Sequence, residues 1–186
     1  MSLNFTASNR ISILPDVARA YLFNLLIPNI SLMTGGIINQ EGLVVRAKTA
    51  TIPSRGNNDD LELHFMGTYV KYPGKPTFSN KLSVTLDETE DQIVIQAIQA
   101  WQQRIFDMDP NSPTAGYSQS VNKAGLCVPI TLKQYKFNGS QLGKDIVFYN
   151  AWPSNRDDVN LDMNANDKIS PTVTFTWDYW LLQPAI

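Results

Sequence analysis

The side chains best suited to chemistry near neutral pH are almost absent from this sequence. It holds one histidine, His64, and one cysteine, Cys127, so a Cys/His metal cluster cannot be assembled. The acids at Asp59-Asp60, at Asp157-Asp158 and from Asp162 to Asp167 could meet a calcium ion, but none has EF-hand spacing, and solvated loops explain them. Gly139-Ser-Gln-Leu-Gly143 lacks the central serine, with glycines two residues away on each side, that forms a nucleophile elbow. No glycine-rich stretch ends in the Gly-Lys-Ser/Thr of a phosphate loop, and Gly35-Gly36 opens no helix. His64 alternates with an apolar face and reads as an exposed or interface histidine, while Cys127, between Leu126 and Val128, reads as a small buried hydrophobe. The expectation is a protein that is not an enzyme and needs no cofactor and no metal.

What the sequence does contain is strongly patterned structure, centred on Thr77 to Phe106. In Lys81–Leu86, Leu82, Val84 and Leu86 alternate with Lys81, Ser83 and Thr85, which is a strand covering a core. The period then changes. Thr89 with Gln92 has the form of a capping box, and Asp87, Glu88, Glu90 and Asp91 supply negative charge where a helix would begin. Val94, Ala97, Ile98, Trp101 and Ile105 follow at helical spacing, until Asp109-Pro110 and Pro113 stop the helix. This is the one long helix expected, at about residues 90–107.

Around it the reading is β. Ala20 to Ile27 is a strand ended by Pro28, and Ser31 to Gly42 is a weakly structured loop. Leu43–Ile52 and Leu61–Phe65 are expected to pair as a hairpin whose tip is the polar run Pro53 to Asp60, with Tyr69 to Thr77 an irregular edge because of Pro73, Gly74 and Pro76. Val128 to Asn138 is a strand whose apolar parity changes between Leu132 and Tyr135, as a bulge would cause. Asp145 to Ala151 is a strand ended by Trp152-Pro153. Thr172 to Leu182 alternates most cleanly, with Val173, Phe175, Trp177, Tyr179 and Leu181 on one face. Trp180 falls on the threonine face, where an aromatic suits an interface as well as a core. About seven strands and one helix, with strands on both sides of the helix, predict a mainly β fold: an antiparallel sandwich or barrel with one flanking helix.

Bulk properties narrow the function. The 186 residues suit a single domain over 1–186, with 1–15 as a possible extended arm, burying on the order of 70% of the unfolded surface. A net charge of −2 argues against a stable binder of duplex DNA. The lone cysteine rules out an intrachain disulfide and suits a reducing cytoplasm. No signal peptide or membrane-spanning run is visible.

Four stretches together resemble the tail tube proteins of contractile-tailed bacteriophages: Phe23-Asn-Leu-Leu-Ile-Pro28; Ala47-Lys-Thr-Ala-Thr-Ile-Pro-Ser54; Leu82 to Gln92 leading into the helix with Trp101; and Asn150-Ala-Trp-Pro-Ser154 followed by Thr172 to Trp180. They span nearly the whole chain in order. The N-terminal arm and the Ser31 to Gly42 segment depart from the likeness. The resemblance implies hexameric rings stacked into a hollow tube in the virion, assembled in the host cytoplasm. It also implies a tape-measure protein in the lumen, a surrounding sheath, baseplate and tail-terminator proteins at the ends, and transient passage of DNA. On this reading Arg55, Asn57, Asp59 and Asp60 are candidates for contact between rings. Gln92, Gln96, Gln99 and Gln103 are candidates for contact with a neighbouring subunit or the sheath. The alternatives are the inner tube of a type VI secretion or phage-like injection system, and a monomeric β-barrel that encloses a small ligand.

Overall fold

The computed structural model describes residues 18–54, 57–164 and 167–184, so the expected N-terminal arm lies outside the described residues. In chain order the elements are β1 (Phe23–Leu26), α1 (Ile30–Met33), α2 (Gln40–Arg46), β2 (Ala47–Ala50), β3 (Asn57–Phe65), β4 (Thr68–Thr77), β5 (Lys81–Leu86), α3 (Ile93–Ile105), β6 (Val128–Gln134), β7 (Asp145–Arg156), β8 (Thr172–Thr176) and β9 (Tyr179–Gln183). The fold is mainly β, and every strand pair is antiparallel. The sheet is open rather than closed into a barrel: it runs β1-β6-β7-β8-β5-β2, with β9 also on β7.

β7 makes this arrangement possible. Its first half lies between β6 and β9, with Ile146 opposite both Leu132 and Leu182, and its second half pairs with β8, where Trp152 meets Thr176. Two bulges turn it. The register with β6 slips between Val128 and Ile130, where β7 carries an extra residue, and Asn150 there has φ 54°. A second slip follows Pro153, which is buried opposite Phe175. The expected end of this strand at Trp152-Pro153 is therefore wrong: it runs on to Arg156, because the proline's missing N–H coincides with an irregularity in the ladder. The bulge expected within Val128 to Asn138 is likewise misplaced. The change of parity there marks the strand's end at Gln134, and Tyr135 forms only an isolated bridge to Gln141.

Leu82, Val84 and Leu86 are buried as expected, in the same core as the apolar stripe of α3. Trp101 of α3 is fully buried, with its ring 6.0 Å from that of Phe175 and its indole N–H donating to the Leu126 carbonyl at 2.9 Å. Val94, Ala97 and Ile98 complete the buried stripe, and Ile105 packs at its edge. The cap differs from the expected box. Gln92 is left-handed (φ 53°) and its side chain makes no cap bond; Glu88 instead accepts from the backbone N–H groups of Thr89, Val94 and Ile95 at 2.8–3.1 Å. A carboxylate satisfies several donors at the positive end of the helix, which a neutral hydroxyl cannot match.

The segment read as a loop and then a strand, Ser31 to Ile52, is largely helical up to Arg46. Asn39 caps α2 by accepting from Gly42 N at 2.7 Å, and only Ala47–Ala50 is strand. The alternation of Leu43, Val45 and Ala47 matched a strand by coincidence: Leu43 is buried and Val45 is 84% exposed. α2 also brings Gln40 against β1. Its amide donates to the Leu25 carbonyl at 3.0 Å and accepts from Ile27 N at 2.7 Å, imitating a neighbouring strand along that margin.

Candidate assembly interface

The largest departure from expectation is the hairpin. β2 pairs with β5 and not with β3; β3 pairs with β4 in a two-stranded sheet of its own. Phe65 faces Thr68 across the two-residue turn Met66-Gly67, whose φ values of 46° and 79° fit the turn that matches strand twist. Pro73 and Pro76 read as breakers, but both lie on β4, which has a single strand neighbour and so spare N–H positions. Register slips between Asn58 and Asp60, and there the Asp59 carbonyl lies so close to Gly74 that a Cβ would collide with it.

The hairpin is amphipathic. Leu61, Leu63 and Phe65 lie opposite Tyr72, Val70 and Thr68 on one face; Asp60, Glu62 and His64 lie opposite Pro73, Lys71 and Tyr69 on the other. On the polar face Lys71 Nζ stands 2.9 Å from Glu62 and 3.2 Å from Asp60, and these carboxylates, Glu62 foremost, raise its pKa. His64 rests beside the Tyr69 ring and near Glu62, exposed as expected. The apolar face has no cover among the described residues: Leu61, Leu63 and Phe65 are 58%, 54% and 71% exposed. Of the candidate inter-ring residues, Asp59 and Asp60 are exposed at the root of this hairpin, not at its tip. Asn57 opens β3 opposite Thr77, and Arg55 lies outside the described residues.

A second apolar surface lies along β9. The expected single strand over Thr172 to Leu182 divides at Trp177-Asp178, where the chain changes partners. Facing therefore reverses. Trp177 is buried, but Tyr179 and Leu181 turn outward and Trp180, expected on the polar face, packs against the core. With Phe78, which follows directly on β4, these residues and Leu182 line a groove of about 380 Å³. Asp178 at its rim is already held. Lys123 donates to it at 2.5 Å and Asn150 at 2.8 Å, and the two, Lys123 first, hold its carboxyl below the usual range.

The candidate glutamines divide. Gln92 is occupied in the backbone turn before α3, and Gln96 donates to the Asp91 carbonyl at 3.0 Å. Gln99 and Gln103 are brought together on a groove of about 480 Å³ with Phe106, Met108 and Trp152. Cys127 is half-buried, and burial pushes its thiol pKa up. Among the described residues no three His, Cys, Asp or Glu side chains gather as metal ligands would.

A family model described as phage tail tube protein matches residues 13–183. The chain belongs to that family. Among tail tube proteins it is 25% identical over 142 residues to tail tube protein gp19 of Enterobacteria phage T4, which covers 75% of this chain and 82% of that protein. The fold of this tail tube protein is also that of a chain in the sheath–tube complex of the PVC extracellular contractile injection system in its extended state (TM-score 0.58, 16% identity, 97% and 100% of the two chains). It matches the tube-terminating cap of the anti-feeding prophage with a TM-score of 0.60 at 15% identity, over 92% and 94% of the two chains. Among the described residues of this tail tube protein, the hairpin, the β9 groove and the α3 groove expose apolar side chains.

Proposed function

We propose that the chain is the inner tube subunit of a contractile phage tail. Copies close into hexameric rings, the rings stack into a hollow tube in the virion, and DNA passes through the lumen during infection. The observation that carries this reading is the amphipathic hairpin: a two-stranded sheet whose apolar face is uncovered among the described residues is marginal in water until a neighbour covers it. The ladder of Ser83, Thr85, Thr172 and Thr174 on β5 and β8 is uncharged, with a single cation, Lys81, at its end opposite Thr176, which suits a wall that retains a polyanion weakly. A sheath outside, a terminator and a baseplate at the ends are partners supported by the solved relatives, which come from a sheath–tube complex, a sheath/tube terminator and a baseplate. A tape-measure protein in the lumen and synthesis in the host cytoplasm complete the proposal. The same relatives favour a second reading, the tube of a contractile injection system that delivers protein.

Electron microscopy of the purified chain at high concentration tests the assembly: rings or hollow rods support it, and uniform particles of single-subunit size refute it. Contact between rings through the hairpin root is tested by reversing Arg55→Glu together with Asp59→Lys, which is expected to shorten tubes and lower their yield. Gln99 and Gln103 are proposed to face the sheath or an adjacent subunit, and protection of α3 from labelling in tubes, relative to free subunits, checks this.

A further inference from the structure

Gly139 is the one glycine in this sequence that follows an asparagine. The pair Asn138-Gly139 is exposed in the connection between β6 and β7, where Gly139 has φ 81° and its N–H donates to the Lys136 carbonyl at 3.0 Å. The Asn138 amide is held by its neighbour. Ser140 donates twice to Asn138 Oδ1, from its backbone N–H at 3.0 Å and from Oγ at 2.7 Å. A backbone N–H can only donate, so this pair of bonds also identifies which end of the amide is oxygen. The connection is closed by further short bonds: Lys136 N donates to the Ser140 carbonyl and Leu142 N to the Gln134 carbonyl, each at 2.7 Å, and Tyr135 bridges to Gln141.

We infer that Asn138-Gly139 is a site of self-modification, where the asparagine amide is exchanged for a carboxylate through a succinimide ring. Solvent hydroxide removes the Gly139 amide proton, and the nitrogen forms a bond to Asn138 Cγ while the carbonyl electron pair moves onto Oδ1. Both Ser140 donors point at that oxygen, so they stabilise the charge that develops there. Collapse breaks the bond to the side-chain nitrogen, which takes a proton from water and leaves as ammonia. Glycine, with no Cβ, puts no side chain in the way of ring closure. Water then opens the ring at either carbonyl. One opening gives aspartate; the other gives isoaspartate, with the main chain routed through Cγ. The Gly139 N–H must leave the Lys136 carbonyl before attack, so the conversion is slow and accumulates with the age of the protein. Its product adds a negative charge close in sequence to Lys136, and beside Phe137, whose ring Arg19 covers at 4.1 Å. Isoaspartate also lengthens the backbone by one methylene, which the closely spaced bonds of this turn cannot absorb.

The test uses the full chain as free subunits in mildly alkaline buffer, followed over weeks by peptide mapping and mass spectrometry. The mass increase of amide-to-acid exchange is expected at residue 138 well before the exposed Asn111, which precedes Ser112. Isoaspartate is expected beside aspartate, because direct hydrolysis of the amide yields aspartate alone. Asn138→Gln is expected to stop the reaction. Ser140→Ala is expected to slow it several-fold, and Ser140→Thr, which keeps the hydroxyl, to restore it. Hydrogen exchange of the aged chain is expected to rise across 136–142 and to stay unchanged in α3. Aspartate without isoaspartate, a residue 138 that ages no faster than Asn111, or a Ser140→Ala chain that ages at the original rate overturns the inference. Every readout is made on free subunits, so none of these results bears on the tube reading.

Discussion

Two carboxylates show how single residues set local order in this chain. Glu88 supplies the N-terminal cap of α3 that Thr89 and Gln92 do not. Glu88→Ala is expected to cost about 1–2 kcal/mol, whereas Thr89→Ala changes stability little; urea unfolding of both variants checks the difference. Asp107 is buried at the end of α3 and accepts from Ser112 Oγ at 2.5 Å, Thr114 Oγ1 at 2.6 Å and Asp109 N at 3.1 Å. Those bonds, Ser112's first, lower its pKa. A carboxyl with a depressed folded-state pKa contributes stability above the unfolded value, about 4, and that contribution is lost as pH falls through the folded value. Melting temperature is therefore expected to fall in this acid range, and Asp107→Asn, which keeps only one acceptor oxygen, is expected to flatten the dependence while lowering stability at neutral pH.

At the level of elements, legibility followed burial. β5 and α3 were readable because Leu82, Val84 and Leu86, and then Val94, Ala97, Ile98 and Trp101, each repeat against one core with a single period. The β3–β4 hairpin was not, because its periodicity is interrupted by Pro73, Gly74 and Pro76, and the rules that read those residues as breakers assume a strand with neighbours on both sides. α2 was hidden by the strand-like spacing of Leu43, Val45 and Ala47, although Asn39 followed by Glu41 is a helix-start signal. The reversal of facing at Trp177-Asp178 leaves no local signature, since it results from a change of partner along β7. The close approach of Gly74 to Asp59 predicts an element-scale effect. Gly74→Ala is expected to disorder the root of the hairpin and abolish tube formation while leaving the main sheet folded. Hydrogen exchange confined to residues 57–77, with normal protection of β5 and α3, checks this.

For the whole molecule, the sequence showed a mainly β chain with a flanking helix. It did not show that the sheet stays open or that the exposed arm is apolar on one side, because both depend on which strands fail to meet. Gln40→Leu, which removes the amide along β1 without adding charge, is expected to lower subunit stability by about 1–3 kcal/mol and to promote disordered aggregates at the expense of regular rods, as light scattering and microscopy would reveal. That glutamine stoppers one flank of the sheet: with a side chain posing as peptide backbone at Leu25 and Ile27, two copies cannot join β1 to β1 over that stretch.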